Sequence, residues 1–297
     1  MKVNVWIKAF RLRTLPLALS CSILGSFLAF AKGRFRFEVL ILAATTTLFL
    51  QILSNLANDY GDTLHGVDNE DRLGPQRLTQ SGRVNKSSVR RVILLFALLS
   101  LISGSFLIFI GLENIKQIIL FFILGITAVI SAVKYTIGRN PYGYVGLGDL
   151  FVFLFFGILG VAGTYYLHTH MFSLWILLPA ATIGLLSSGV LNLNNMRDIE
   201  NDAKSGKRTL VVRLGSGGAK VYHVMLVSLS MIFSIIYTLK YYHSIFQWLF
   251  VLTFPLFAMN IKVVLQNTEP VKLNNELKKL AISTFIFSVI FGLGWIL

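Results

Sequence analysis

The chain has 297 residues, 55% of them hydrophobic and only 13% charged, with a formal net charge of +14. Soluble domains carry about 25% charged residues, so this composition excludes a soluble globular domain and implies a membrane protein. The single cysteine, Cys21, excludes an intrachain disulfide. The positive charge is read as membrane topology and contact with anionic lipid or anionic substrate, not as nucleic-acid binding.

Apolar runs near the ~20 residues that a membrane-spanning helix needs fall at about 15–31, 38–57, 92–111, 117–133, 148–167, 172–193, 221–240, 244–266 and 280–297. They predict an all-α integral membrane protein of nine transmembrane helices, a single domain over 1–297. The first run follows Lys2, Lys8, Arg11 and Arg13 and ends at Ala29-Phe30-Ala31. Lys32 directly after it, and eight further runs, make it an uncleaved first helix. Lys and Arg collect on the cytoplasmic side. With the N-terminus cytoplasmic, the outside keeps only Lys32, Arg34, Arg36, Lys116 and Lys240 of the 27 Lys and Arg. This orientation predicts a multi-pass protein of the cell (cytoplasmic) membrane. The connections at about 58–91, 134–147 and 194–220 then form a polar cap on its cytoplasmic face.

Asp and Glu number only 13, and two clusters of them share one pattern beside apolar segments. Asn58-Asp59-x-x-Asp62 with Asp68 beyond matches Asn194-Asn195-x-x-Asp198 with Asp202 beyond, and Asn58 to Asn194 and Asp62 to Asp198 share one offset of 136 residues. The match suggests an internal duplication in which equivalent helices present equivalent ligands. Asn194, Asp198 and Asp202 fall at i, i+4 and i+8, a single helical face if the helix continues past residue 193. In the first cluster only Asn58 and Asp62 keep that spacing, with Asn55 one turn back. Gly61 and Gly66 interrupt the run, so the helix is expected to end there and Asp68 to return from a loop.

Carboxylates and amide oxygens facing each other are hard ligands, suited to Mg2+ and not to zinc. Cationic residues follow each cluster, Arg72 and Arg77 after the first, Lys207 and Arg208 after the second. Metal and Arg or Lys together stabilise charge on a departing phosphate, which points to a diphosphate site. A lone Asp at a helix end can simply cap it, and Lys or Arg there snorkels to headgroups. That explanation does not predict two matching clusters on one face. The connection around 134–147 lies on the same side, where Tyr135 and Arg139 are placed to reach the diphosphate and Asp149 opens the next helix. None of the five His is assigned to catalysis. A greasy bundle with a diphosphate site at one end, and 24 Phe, suits a substrate with a charged head and a long apolar tail, the form of an isoprenyl diphosphate.

These residues resemble the UbiA superfamily of intramembrane aromatic prenyltransferases, which share nine transmembrane helices and two Asp-rich motifs. The superfamily form Asn-Asp-x-x-Asp-x-x-x-Asp is met by Asn58, Asp59 and Asp62, with Asp68 displaced by two residues. Its second motif is met by Asn194, Asp198 and Asp202, and its Tyr-x-x-x-Lys element by Tyr135 and Arg139, an Arg for Lys departure. Arg13-Thr14-Leu15-Pro16, Asn55 through Asp62, Pro141-Tyr142-Gly143-Tyr144 and Gly206-Lys207-Arg208-Thr209 are similar to the branch acting on 1,4-dihydroxy-2-naphthoate in menaquinone biosynthesis. The resemblance implies Mg2+-dependent transfer of a polyprenyl group from polyprenyl diphosphate to that naphthoate, with loss of carboxylate and diphosphate, giving demethylmenaquinone. It implies Asn58, Asp59, Asp62, Asp68, Asn194, Asp198 and Asp202 around Mg2+. Arg72, Lys207, Tyr135 and Arg139 then act on the diphosphate, and Arg11, Arg13, Asn55, Arg77 and Arg208 bind substrate. The competing expectations are a sister prenyltransferase acting on 4-hydroxybenzoate or haem, and a cation-coupled transporter, whose acids lie nearer the membrane midplane.

Overall fold

The computed structural model describes residues 2–67, 73–74 and 84–297. Among them there is no strand, and nine helices are long and apolar enough to cross a membrane. The N-terminal helix α1 (Lys2–Phe10) turns through Arg11, in the left-handed region at φ 51°, into α2 (Leu15–Phe30). Next come α3 (Phe37–Leu64), α4 (Lys86–Gly111) and α5 (Ile115–Lys134). Then α6 (Gly148–Thr169), with a π-helical stretch at Phe153–Gly163, leads to α7 (Leu174–Arg197) and the short α8 (Ile199–Lys204). Helices α9 (Leu210–Lys240), α10 (Ile245–Gln266) and α11 (Pro270–Ile296) complete the bundle.

Helix α7 is the centre. It is lined with Ala180, Ala181, Gly184, Ser187, Ser188 and Gly189, all buried, and small residues let neighbouring helix backbones approach closely in a bilayer, where no hydrophobic force drives them together. The backbone oxygen of Ala180 sits where a Cβ on Gly157 of α6 would lie 2.6 Å away. Helix α5 is the opposite case. Among its residues only Ala128 and Ser131 are buried, so most of its surface faces lipid. The end of the bundle remote from the acidic clusters carries Trp175, Tyr241 and Trp295, with Lys240 Nζ 4.9 Å above the Trp175 ring, the amphipathic aromatics that settle at membrane interfaces.

Several helices outrun their apolar segments. Helix α3 has 28 residues, about 42 Å of rise against ~30 Å of hydrocarbon, so its last turns enter the polar layer. It runs through Gly61 and ends at Leu64, so the break expected after Asp62 is present. Gly61 is a contact point instead: a Cβ there would lie 2.5 Å from Thr136 Oγ1, which itself donates to the Ala57 carbonyl at 2.9 Å. Helix α9 begins at Leu210, eleven residues before the predicted 221, and is broken once at Gly215 (φ 69°).

Of the expected contrast between the two clusters, the break after Asp62 holds and the unbroken second ladder does not. Asn58, Asp59 and Asp62 sit on one continuous helix. The second cluster straddles a break, because Asp198 has left the helical region (φ −99°, ψ 13°) between α7 and α8. Hydrogen bonds still run across it, from Asp198 N–H to the Asn194 carbonyl at 3.3 Å and from Asp202 N–H to the Asp198 carbonyl at 2.8 Å. The ladder survives with a bend at its middle rung.

Candidate active site

Both clusters lie at one end of the bundle, and four hydrogen bonds close the chain around them. After α3, Gly66 (φ 71°) turns the chain so that Val67 N–H returns to the Asp62 carbonyl at 2.9 Å. The Val67 carbonyl then accepts from Asn201 Nδ2 of α8 at 2.8 Å. After α8, Gly206 (φ 73°) turns the chain again, Lys207 N–H donates to the Asp202 carbonyl at 2.8 Å, and Arg208 N–H donates to the Tyr144 carbonyl at 2.9 Å. These turns need a left-handed residue, which glycine supplies without steric cost.

The charges meet at Lys207. Its ammonium is 3.7 Å from Asp62 and 3.5 Å from Asp202, one carboxylate from each cluster, and 5.3 Å above the Tyr144 ring. Asp62 is fully buried and accepts a 2.5 Å hydrogen bond from the Tyr144 hydroxyl. Burial pushes the Asp202 carboxyl up to about 6; Lys207 opposes that shift, while Asp198 and Asp62 add to it. Asp198 is gripped by the guanidinium of Arg197, with bonds of 3.0 and 2.5 Å, and the same guanidinium reaches Asn194 at 2.9 Å and Asn274 of α11 at 3.0 Å. Arg197 is 1% exposed, a charge held inside only because its hydrogen bonds are met. Asp59 forms an ion pair with Arg11.

Beside this cluster opens a cavity of about 310 Å³. Helix α3 supplies one wall with Ala43, Thr46, Thr47, Leu50, Gln51, Ser54, Asn55 and Asn58, the i, i+3, i+4 periodicity of one helical face. From Ala43 to Asn58 that wall rises about 22 Å. Its polar mouth holds Arg11, Arg13, Asn58, Asn194 and Tyr135, and its depth is lined by Leu107, Ile108, Phe121 and Leu167. At the mouth Gln51 donates to Asn55 Oδ1 at 3.1 Å, and Asn55 donates to the Phe10 carbonyl at 3.1 Å, fixing the α1 turn on α3. Burial, reinforced by the Asp149 charge, pushes the Tyr135 hydroxyl well above its ordinary range. It stays a neutral donor.

The structure thus brings together Asp62, Asp198, Asp202 and Lys207, and sets Arg11, Arg13, Asn55, Asn58, Asn194 and Tyr135 on the cavity wall. Arg139 stays exposed after Gly138, and Arg208 contributes its backbone while its side chain is exposed, so neither joins the wall. Both lie in turns whose direction hydropathy does not encode. Asp149 is buried in the first turn of α6, its carbonyl accepting from Ser188 at 3.1 Å. Asp68, Arg72 and Arg77 lie outside the described residues. Sequence reasoning passed over Tyr144, Arg197 and Gln51. Arg197 had a signal: a cation directly before Asp198 at the end of an apolar run must either leave the helix or pair inside it.

The residues fit Mg2+. Every donor in the two clusters is a hard oxygen, the crossing point of Asp62 and Asp202 already holds a cation in the form of Lys207, and Asp202 Oδ2 is buried without a hydrogen-bond partner among the described residues. No three His, Cys, Asp or Glu among those residues stand close enough to chelate an ion alone. Mg2+ takes one or two carboxylates and completes its shell with phosphate oxygens and water.

A family model described as the UbiA prenyltransferase family matches residues 18–290. The chain is 43% identical over 295 residues (99% of this chain, 96% of the relative) to a 1,4-dihydroxy-2-naphthoate octaprenyltransferase of Haemophilus influenzae. It is 40% identical (99% and 95%) to the Escherichia coli protein of the same name. Among solved structures, an apo UbiA homolog from Aeropyrum pernix K1 aligns with a TM-score of 0.65 at 17% identity, covering 98% of this chain and 97% of that one. A UbiA homolog from Archaeoglobus fulgidus bound to DMAPP and Mg2+ aligns equally well, at 0.65 and 18%, over 96% and 98%. At these identities the solved structures share the fold.

Proposed function

Since the chain belongs to the UbiA prenyltransferase family, we propose that it transfers a polyprenyl group from polyprenyl diphosphate to 1,4-dihydroxy-2-naphthoate, within menaquinone biosynthesis. The observation that carries this reading is a single cavity joining a mouth of Arg, Asn and Tyr side chains to an apolar depth, beside the crossing of the two acidic clusters at Lys207. The charged head of the donor belongs at the mouth and its hydrocarbon below. Full-length relatives at 40 and 43% identity that bear the naphthoate name support this acceptor over 4-hydroxybenzoate or haem.

Asn58, Asp59, Asp62, Asp68, Asn194, Asp198 and Asp202 are the oxygen donors from which Mg2+ would take one or two carboxylates, with diphosphate oxygens and water completing its shell, and the ion would neutralise the departing diphosphate. Lys207 moves its charge from the two carboxylates to the phosphate oxygens, and the neutral Tyr135 hydroxyl donates from the opposite wall. The carbon–oxygen bond of the donor breaks with both electrons leaving on diphosphate. The apolar cavity keeps water from the allylic cation. The ring carbon bearing the carboxylate then forms the new carbon–carbon bond, and carbon dioxide departs leaving its bonding pair to restore aromaticity, which yields the dihydroxy (hydroquinone) form of demethylmenaquinone. Arg11 and Arg13 hold the acceptor's carboxylate at the mouth. Lys and Arg favour the cytoplasmic side, so this end of the bundle faces the cytoplasm of a cell membrane.

The test is an assay of purified protein with polyprenyl diphosphate, Mg2+ present or chelated, and either 1,4-dihydroxy-2-naphthoate or 4-hydroxybenzoate. Prenylated naphthoate and carbon dioxide are expected only with Mg2+. Prenylation of 4-hydroxybenzoate alone would overturn the acceptor, and product formed in excess chelator would overturn the metal.

A further inference from the structure

The connection between α5 and α6 carries three tyrosines, and their hydroxyls are used differently. The Tyr142 hydroxyl donates to the Ser131 carbonyl at 2.9 Å, and the Tyr144 hydroxyl donates to Asp62 at 2.5 Å. Tyr135 is the exception. It lines the cavity with Asn58 and Asn194, yet its hydroxyl makes no hydrogen bond among the described residues.

What fixes Tyr135 is shape. A Cβ on Gly143 would lie 3.0 Å from both Cε2 and Cζ of the ring and 2.6 Å from the Tyr135 carbonyl oxygen, which already accepts from the Gly143 N–H at 3.0 Å. A Cβ on Gly148, the first residue of α6, would lie 3.0 Å from the same Cε2, 3.2 Å from the hydroxyl oxygen and 3.4 Å from Leu191 of α7. The Tyr142 ring meets it at 79°, centroids 5.4 Å apart. Of the three glycines in this connection after Pro141, only Gly146, at φ 81°, has a left-handed backbone. Gly143 and Gly148 do not, so Tyr135 is what excludes a side chain from them. A close-packed site resists even one added methyl group.

Fixing a phenol by shape has a chemical consequence. A hydroxyl held by a hydrogen bond must break that bond before its proton can serve a ligand, whereas one held by packing is oriented in advance with its O–H still available. On the reading of the chain as a prenyltransferase, we propose that Gly143 and Gly148 are positioning residues, which clamp the Tyr135 ring so that its hydroxyl is reserved for the donor's diphosphate. The same short connection places Tyr144 against Asp62 and beneath Lys207, and its Tyr144 carbonyl accepts from the Arg208 N–H at 2.9 Å. One turn therefore sets the phenol donor in register with the crossing of the two acidic clusters.

The test is a binding cycle on the full chain in detergent, with inorganic diphosphate and Mg2+ as the probe, over Gly148→Ala, Tyr135→Phe and the double variant. Gly148→Ala is the informative change, because its methyl meets side chains and not the backbone oxygen that faces Gly143. Each single variant is expected to weaken binding by about tenfold or more, the size of a lost hydrogen bond to a charged group. The double variant is expected to bind no more weakly than Tyr135→Phe, since without the hydroxyl the clamp has nothing to aim. Losses that multiply in the double variant, or wild-type affinity in Gly148→Ala, would overturn the proposal. If Gly148→Ala is unstable, its melting temperature is expected to recover in a Tyr135→Leu background, where no ring opposes the methyl; instability that persists there would overturn it as well. Binding needs no turnover. A coupled Gly148–Tyr135 pair in a protein that prenylates no acceptor would sink the proposed function while leaving the clamp in place.

Discussion

At the residue scale the two clusters are not equivalent probes of metal binding. Asp198 shares a buried guanidinium with Asn194 and Asn274, so removing its carboxylate strands Arg197 inside the bundle. An uncompensated buried charge costs about 3–5 kcal/mol. Asp198→Ala is therefore expected to lose activity together with thermal stability in detergent, and an unchanged melting temperature would show that Arg197 does not depend on this partner. Asp202 is the cleaner test. Its buried oxygen has no hydrogen-bond partner among the described residues and its other oxygen meets Lys207 at 3.5 Å, so Asp202→Asn keeps shape and burial while removing one negative charge. Half-saturation by Mg2+ is expected to rise by about 10–100-fold, the usual cost of disturbing a metal site, with the melting temperature preserved. Equal Mg2+ dependence would remove Asp202 from the metal set.

At the element scale, the end of α3 decides where half of the site stands. Hydropathy fades at residue 57, and beyond it only the i, i+4 spacing of Asn58 and Asp62 says that the helix goes on. The helix continues because its last turns have a partner: Gly61 lies flat on Thr136, and the Thr136 hydroxyl donates to the Ala57 carbonyl. The contact includes the Thr136 carbonyl, 2.6 Å from a Cβ at Gly61, and backbone cannot give way as a flexible side-chain tip can. Gly61→Val is therefore expected to push α3 off the segment after α5, destabilising the protein by about 1–3 kcal/mol and disrupting the Asp62–Tyr144–Lys207 arrangement. Thermal unfolding and activity measured together check this. Stability and turnover both at wild-type values would mean that the α3 end is not held there. The break at Asp198 follows the same logic, since a bend is tolerated where Arg197 and the i, i+4 hydrogen bonds span it.

At the scale of the whole molecule, charge asymmetry predicts which way the bundle faces. Arg139 is exposed at the end that holds the clusters, and Met171 is 54% exposed at the other. The native Cys21 is buried and silent. A membrane-impermeant maleimide is expected to label Arg139→Cys only in inverted vesicles and Met171→Cys in intact cells. The opposite pattern would place the active site outside.

The sequence by itself determined the nine spans, the two acidic clusters and the family, because each depends on a local property: the length of an apolar run, the identity of a short motif, the charge of a connection. Only the tertiary structure decided which cation faces which acid. Lys207 meets Asp62 across 145 positions of sequence because the chain turns at Gly66 and Gly206, and Arg197 is drawn inward by Asn274 from a different helix. The Tyr144 hydroxyl, not Arg139, reaches the first cluster from the connection after α5. Helix rotation and packing, to which hydropathy is blind, set each of these pairings.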